Sequence, residues 1–147
     1  MTEHRPTPRF EEDEGAGYLR AVGLRPTQQR LALAGLLFAG EDRHVTAESL
    51  YEEATAQGVK VSLATVYNTL NQFKDAGLLR EVVVHAGKSY FDTKTESHHH
   101  LYDEDSGEIE DVHLAVDEEQ VRRKVAVPSG KRIAGVDIVV RLREHKE

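Results

Sequence analysis

The sequence predicts an α+β protein with two domains, and three observations lead to that prediction. Four segments with apolar residues at helical spacing fill the first half of the 147-residue chain. Two short β-rich segments follow them, and a polar stretch then leads into a smaller piece with strands and one helix. The predicted parts are a flexible arm at residues 1–10, a first domain at 11–92, a hinge at 93–97 and a second domain at 98–147.

The predicted helices of the first domain are delimited by their capping residues. Serine and threonine favour the N-cap because the hydroxyl accepts a backbone N–H that the helix leaves unpaired, and glycine favours the position after the end. These signals predict helices over residues 11–22, from Thr27 to Gly40, from Thr46 to about Gln57 and from Ser62 to Gly77. In the last helix, apolar residues recur at helical spacing and are expected to face the core: Leu63, Val66, Leu70 and Phe73.

A β-hairpin is predicted after these helices, with strands at 79–84 and 88–92. Helices followed by such a hairpin form the layout of a winged helix-turn-helix, in which one helix commonly enters the major groove of DNA. The exposed side of the last helix carries Thr65, Asn68 and Gln72, whose small polar side chains suit the reading of base edges. An amphipathic helix with an ordinary solvent-facing side gives the same pattern, so both interpretations stay open.

The second domain is predicted to be a small α/β piece. Its elements are strands at 99–102 and 108–113, a helix from Asp117 to about Val125 and a strand at 136–142. A piece of about 50 residues buries little apolar surface by itself. We therefore expect the β-branched last strand, with Ile138, Val139 and Val140, to pair with another chain or to lie in a dimer interface.

Composition excludes several classes of protein. The chain has no cysteine, which excludes disulfides, cysteine-bound zinc, iron–sulfur clusters and thiol catalysis. No apolar run approaches the ~20 residues of a membrane span, and no secretory signal follows Met1, so we expect a cytoplasmic protein that binds no membrane. The net charge is −7, but residues 18–92 carry eight basic and eight acidic side chains, and such a neutral domain can bind DNA through one basic face.

The most informative motif is the run His98-His99-His100. Histidines two residues apart in a strand point to the same side, so His98 and His100 could bind one ion while His99 points the other way. Asp92 precedes the run and Asp111 follows it. Nitrogen and oxygen ligands together suit iron, manganese or zinc, and an axial histidine suits haem. A solvated histidine tract on the surface remains the alternative.

Several motifs resemble the ferric uptake regulator superfamily. They occur at residues 23–30, 44–51, 62–70, 87–92 and 98–101, and the similarity runs from about residue 16 to 143. The resemblance implies a dimeric transcription regulator of the cytoplasm. Its winged-helix domain would bind an AT-rich pseudopalindrome of double-stranded DNA, its α/β domain would form a homodimer, and metal sites near the hinge would set the domain orientation.

The resemblance also implies the residues of the regulatory metal site, which would bind Fe²⁺, Mn²⁺ or Zn²⁺. The family ligands fall on His44, Asp92, His98, His100 and Asp111, and this set is intact.

The resemblance implies DNA contacts at one residue before the second predicted helix and at residues of the last helix of the first domain. Arg25 falls where a basic residue probes the minor groove, and Tyr67 where a tyrosine packs on thymine methyl groups. Ser62 and Thr65 lie at the start of the same helix, and Asn68 stands where some members have arginine. Tyr67 could instead be a half-buried aromatic residue of the core.

The chain departs from the family pattern at two other metal sites. Asp103 and Ser106 replace the first pair of cysteines that many members use for structural zinc, and the second pair is absent, so a site of four cysteines cannot form. A second histidine and carboxylate site retains His99 and Glu118, while Ser97 and Val136 stand where ligands are often found.

The lost cysteines, the triple histidine and the ending at residues 139–143 are most similar to the iron response regulator branch. This similarity implies a repressor or activator of iron and haem homeostasis genes that responds to iron, or to haem bound by His98, His99 and His100. The alternative within the superfamily is a peroxide-sensing metal-dependent repressor. We expect no enzyme, because no metal-hydrolase motif such as HExxH occurs, although the residues alone also allow a metal-dependent hydrolase or a metal-storage protein.

Overall fold

The computed structural model describes residues 12–85, 88–96 and 98–145. The chain divides into two compact units, Met1–Thr95 and Glu96–Glu147, which mix helices and strands as an α+β protein does. The flexible arm predicted at 1–10 lies outside the described residues, as does Ser97. No helix in the described ranges is long and apolar enough to cross a membrane.

Helices make up most of the first unit. Its elements are α1 (Glu12–Ala21), α2 (Gln28–Phe38), β1 (His44–Val45), α3 (Ala47–Ala56), α4 (Leu63–Asp75), β2 (Arg80–His85) and β3 (Lys88–Asp92). The predicted N-caps of α2, α3 and α4 are confirmed: Thr27, Thr46 and Ser62 each accept a backbone N–H from three residues ahead. Gly77 follows α4 with φ of 84°, a conformation that glycine adopts without steric cost.

The core of the first unit lies between the apolar sides of its helices. Leu33, Leu37, Leu50, Leu70 and Phe73 are fully buried there. Burial of each such side chain stabilises the fold by roughly 1.5–3 kcal/mol. Since α4 turns Leu70 and Phe73 inward, its opposite side faces water.

A three-stranded sheet of order β1-β3-β2 completes the first unit. The predicted hairpin of β2 and β3 is present, but the sequence reasoning missed β1, whose residues pair antiparallel with β3. Two residues are too short for an alternating pattern, which explains the omission. The pairing places His44 directly opposite Asp92.

The second unit contains β4 (His99–Asp103), β5 (Ile109–Val112), α5 (Glu118–Lys124) and β6 (Val139–Leu142). Its sheet has the order β5-β4-β6, with β5 antiparallel and β6 parallel to β4. The last strand is shorter than predicted. It pairs with β4 of the same chain, where we had expected another chain as one possibility, because β4 offers β6 a second hydrogen-bonding edge. The place of β6 in a dimer interface stays a prediction.

Candidate metal centre and nucleic-acid interface

In the first unit, a histidine and an aspartate meet across the sheet. The His44 Nε2 atom lies 2.9 Å from the Asp92 Oδ2 atom, and the Asp92 side chain is only 1% exposed. The Asp92 Oδ1 atom accepts the backbone N–H of Lys94 at 2.9 Å. Burial of a carboxylate costs free energy unless polar partners surround it. These contacts hold the Asp92 carboxylate with one oxygen directed at the imidazole.

The strand that carries His44 is fixed to its surroundings by Arg43. The Arg43 backbone N–H donates to the Thr93 hydroxyl at 2.8 Å, and the guanidinium donates to both Glu53 carboxylate oxygens at 2.8 and 2.7 Å. This hydrogen bonding lowers the pKa of Glu53 and raises that of Arg43. A bidentate contact restricts rotation of the two side chains more than a single hydrogen bond does. It therefore holds the residue before β1 against α3.

In the second unit, two histidines converge on one carboxylate. The Nε2 atoms of His98 and His100 lie 3.0 and 3.5 Å from the Asp111 Oδ1 atom, and the ring centroids are 4.4 Å apart. The β4–β5 register places His100 opposite Asp111. One ligand atom from each of these three residues lies within 4.8 Å of the others. Such a cluster offers two nitrogen donors and one oxygen donor to a small cation.

His99 is engaged differently from its neighbours. Its Nδ1 atom accepts the backbone N–H of Ile138 at 3.2 Å, and its Nε2 atom lies 3.6 Å from the Glu118 Oε1 atom. An imidazole nitrogen that accepts a hydrogen bond cannot bind an ion with the same lone pair. Val136 offers no side-chain donor, so among the family-assigned positions that the structure describes, His99 and Glu118 are the ones that retain donor atoms for a second site.

The positions of the first missing cysteine pair form a hydrogen-bonded turn. The Asp103 Oδ1 atom accepts the backbone N–H groups of Asp105 and Ser106 at 2.9 and 3.1 Å. The Asp103 carbonyl accepts the Gly107 N–H at 2.8 Å, and the Ser106 hydroxyl accepts the Glu108 N–H at 3.2 Å. Side-chain hydrogen bonds of this kind stabilise a turn without a metal ion.

Ion pairs join this turn to the end of the chain. Glu104 accepts hydrogen bonds from Arg143 and, at 3.5 Å, from Arg141, and its backbone N–H donates to the Leu142 carbonyl at 2.9 Å. The Arg143 guanidinium lowers the pKa of the Glu104 carboxyl. We call the side chains of Glu104, Arg141 and Arg143 the C-terminal clasp.

The outer side of α4 is the candidate nucleic-acid interface. Tyr67 is 40% exposed and lies outside the hydrophobic core, which argues against its interpretation as a core aromatic residue. Its hydroxyl donates to the Glu48 Oε1 atom at 2.8 Å, and this hydrogen bond raises the pKa of Tyr67. Ser62 and Thr65 pair through their hydroxyls at 2.9 Å, while Asn68 is exposed. The ring of Tyr67 is therefore presented to solvent with its hydroxyl held.

Two contacts near this surface were missed by the sequence reasoning. Glu48 of α3 holds Tyr67, and Arg30 of α2 donates both to the Arg25 carbonyl and to Gln72 of α4. Glu48 lies 19 positions from Tyr67 and Arg30 lies 42 positions from Gln72, so no local pattern connects the members of either pair. The position of Arg30 at the end of the family-like motif Gly-Leu-Arg-Pro-Thr-x-x-Arg at 23–30 was the one signal that could have pointed to this residue.

The fold and the histidine–aspartate contacts together define a winged-helix protein with candidate metal ligands. Comparison with known proteins is consistent with that class: the ferric uptake regulator family matches residues 21–140. The chain belongs to this family.

Individual relatives extend the comparison. The ferric uptake regulation protein of Vibrio anguillarum is 41% identical over 92 residues, which are 62% of this chain and 62% of that protein. The peroxide-responsive repressor of Staphylococcus epidermidis is 36% identical over 103 residues, 70% of this chain and 68% of that protein. The match thus spans less than two thirds of the Vibrio protein.

A solved structure confirms the predicted fold class. The ferric uptake regulator from Pseudomonas aeruginosa, described with manganese, shares 32% identity and a TM-score of 0.66 with this protein. The match covers 88% of this chain and 97% of that one. A winged-helix domain followed by a small α/β domain therefore accounts for nearly the whole chain.

Proposed function

We propose that this protein is a metal-dependent, DNA-binding transcription regulator. The convergence of His98 and His100 on Asp111 carries the proposal, because two imidazoles gathered at one carboxylate, with side chains 9% and 1% exposed, form a ready set of metal ligands. Family membership supports it, since the relatives are named as a ferric uptake regulation protein and a peroxide-responsive repressor.

The chemistry of the donors fits a divalent transition metal. Imidazole nitrogen and carboxylate oxygen suit Fe²⁺, Mn²⁺ and Zn²⁺, and the absence of cysteine removes competition from softer ligands. A bound divalent ion would supply the positive charge that offsets the burial of Asp92, which is 1% exposed. The manganese described in the Pseudomonas relative supports the same class of ion.

We further propose that the two sets of ligands hold one ion. The family resemblance assigns His44 and Asp92 of the first unit to the same site as His98, His100 and Asp111 of the second. Ligands contributed by both units would restrict the units to one relative orientation. In a homodimer, that restriction would set the spacing of the two α4 helices to successive major grooves of a pseudopalindrome.

The outer side of α4 would read the DNA. Exposed Asn68 can form two hydrogen bonds with adenine, and the ring of Tyr67 can pack on a thymine methyl group, which together favour an AT-rich site. Arg25 lies exposed before α2 and carries the positive charge that a narrow minor groove attracts.

The test is fluorescence anisotropy of a labelled AT-rich palindrome, measured with Mn²⁺ and again with a chelator. We expect tight binding only with Mn²⁺, and its loss in the double variant His98→Ala/His100→Ala. His113→Ala is the matched control, because His113 is an exposed histidine outside the proposed site. Metal dependence would be contradicted if the unmodified protein bound the palindrome equally well with a chelator and the double variant bound it equally well with Mn²⁺.

Iron availability is the signal we propose for this site, and the similarity to the iron response regulator branch makes haem the second candidate. The burial of the histidines favours a metal ion over haem as the bound signal. The side chains of His98, His99 and His100 are 9%, 7% and 1% exposed, so a flat porphyrin reaches them only after local opening. Added haem that gives a histidine-type Soret band and releases DNA, with both effects absent in the triple alanine variant of 98–100, would favour haem instead.

Peroxide sensing is a further candidate, favoured by the similarity to the Staphylococcus repressor. Under this proposal, peroxide acting on the Fe²⁺-loaded protein would add one oxygen atom to His44 or His98 and release DNA. Mass spectrometry of the peptides that contain these histidines distinguishes the candidates. Unchanged mass with retained DNA binding after peroxide would exclude peroxide as the signal.

A further inference from the structure

Arg30 links the candidate nucleic-acid interface on α4 to the segment before α2 that carries Arg25, and these two segments are distant in sequence. Its Nε and Nη2 atoms donate to the Gln72 Oε1 atom at 3.2 and 3.0 Å, and its Nη1 atom donates to the Arg25 carbonyl at 2.9 Å. One guanidinium therefore contacts both the segment before α2 and the outer side of α4. The planar guanidinium fixes the directions of these hydrogen bonds relative to one another.

These contacts also orient the Gln72 amide. A guanidinium has donors and no acceptor, so Gln72 must present its oxygen to Arg30, which turns its NH₂ group away. Gln72 follows Asn68 by one helical turn and is exposed on the same side of α4. The Arg25 carbonyl also accepts the Thr27 backbone N–H at 2.9 Å, so the other end of the link is constrained as well.

We propose that Arg30 is a positioning residue for DNA recognition. It sets the distance between the backbone of Arg25 and the outer side of α4, so that Arg25 and Asn68 reach the duplex together. The inference rests on the proposed function and adds to it a residue that acts through Gln72 and the Arg25 carbonyl. Arg30 is partly buried, and its donors are directed at protein acceptors.

A direct contact between Arg30 and a DNA phosphate would behave differently. Lysine substitutes for arginine in a simple phosphate contact, because a point charge suffices there. Lysine cannot reproduce a planar contact with two acceptors. Loss of a phosphate contact also reduces the salt dependence of binding by about one unit of slope, whereas loss of a positioning contact leaves the slope unchanged.

The experiment measures anisotropy on the AT-rich palindrome and on a random duplex over a range of salt concentrations, with Mn²⁺ present. The variants are Arg30→Lys, Gln72→Ala and their combination, and Arg20→Lys is the control because Arg20 is exposed on α1. Gln72→Ala removes the acceptor from an exposed helical position, where alanine maintains the helix. That variant keeps the test valid if Arg30→Lys is poorly folded.

We expect Arg30→Lys and Gln72→Ala each to weaken palindrome binding about tenfold, as loss of a hydrogen bond to a charged group does. Binding to random DNA and the salt slope should stay unchanged, and the double variant should lose no more than either single one. Full binding by Arg30→Lys, or additive losses in the double variant, would overturn the inference and leave the proposed function intact. If the unmodified protein bound no DNA, the proposed function would fail, and the inference with it.

Discussion

The two units of the chain bury very different side chains. In the first unit the buried residues are mainly aliphatic and aromatic, such as Leu50, Leu70 and Phe73. Among the described residues of the second unit, the buried ones are Tyr102, His99 and His100, and α5 buries none of its own. Buried apolar area stabilises a fold directly, whereas a buried imidazole stabilises it only when its nitrogen atoms have partners. We therefore expect the second unit to depend on what its histidines bind.

The largest effect should follow a cavity in the core of the first unit. Leu70→Ala removes a fully buried side chain of α4, and we expect the free energy of unfolding to fall by about 2–5 kcal/mol. Urea unfolding followed by circular dichroism measures this change. Leu63→Ala is the control on the same helix, because Leu63 is 37% exposed. A loss below about 1 kcal/mol for Leu70→Ala would show that burial in this unit matters less than we infer.

The second unit should instead respond to metal. Saturating Mn²⁺, at about 100 times its Kd, should stabilise the unit by about 2.7 kcal/mol and slow amide hydrogen exchange in β4 and β5. Helix α2 of the first unit should change much less. Asp111→Asn should remove the effect, whereas Glu110→Gln changes the charge of an exposed neighbour and should retain it. If Mn²⁺ slowed hydrogen exchange equally in α2 and in β4, the expected difference between the two units in their response to metal would be contradicted.

A smaller effect should appear at low pH in the first unit. The Arg43 hydrogen bonds lower the pKa of Glu53 below its unfolded value of about 4.3, so the pair contributes stability above that pH. This contribution is lost as the pH falls through the folded-state pKa. Because both side chains are about one third exposed, we expect no more than about 1 kcal/mol.

Comparison with Glu53→Gln isolates that contribution. Between pH 6 and about pH 3.5, urea midpoints of the unmodified protein should fall further than those of Glu53→Gln, which has no carboxyl to protonate. If the urea midpoints of the two proteins fell in parallel, the ion pair would contribute no measurable stability.

The smallest effect should come from the C-terminal clasp of the second unit. Glu104→Gln removes the charge that pairs with Arg141 and Arg143, so hydrogen exchange in residues 139–144 should speed up at low salt. The difference should disappear at high salt, which screens exposed charges. Glu108→Gln provides the control, as Glu108 is an exposed carboxylate of the same turn. A salt-independent difference would mean that packing, rather than charge, joins the turn to the chain end.

Sequence predicted local features of the fold better than distant contacts. Thr27, Thr46 and Ser62 were correctly predicted as N-caps because capping depends on residues within one turn. The short strand β1 and the pairing of β6 with β4 were missed, since both depend on which strands meet in three dimensions. The general class, α+β with a winged helix, followed from element order and is confirmed.

For the candidate site too, the sequence predicted local contacts better than contacts between distant residues. Strand periodicity is enough to suggest that His98, which directly precedes β4, and His100 of β4 point to the same side, where their ring centroids lie 4.4 Å apart. The contact of His44 with Asp92, by contrast, was expected only through family resemblance, because 48 positions separate them and no periodicity relates them. Arg30 and Glu48 were missed because their partners, Gln72 and Tyr67, lie on another helix.

One measurement tests the proposed metal centre most directly: calorimetric titration of Mn²⁺ into the unmodified protein and into His44→Ala and His98→Ala. The two variants remove one ligand from each unit. The account predicts one tightly bound ion per chain, with tight binding lost in both variants and DNA binding lost in parallel. Tight binding that survives in His44→Ala but is lost in His98→Ala would contradict it, because the ion would then belong to the second unit alone.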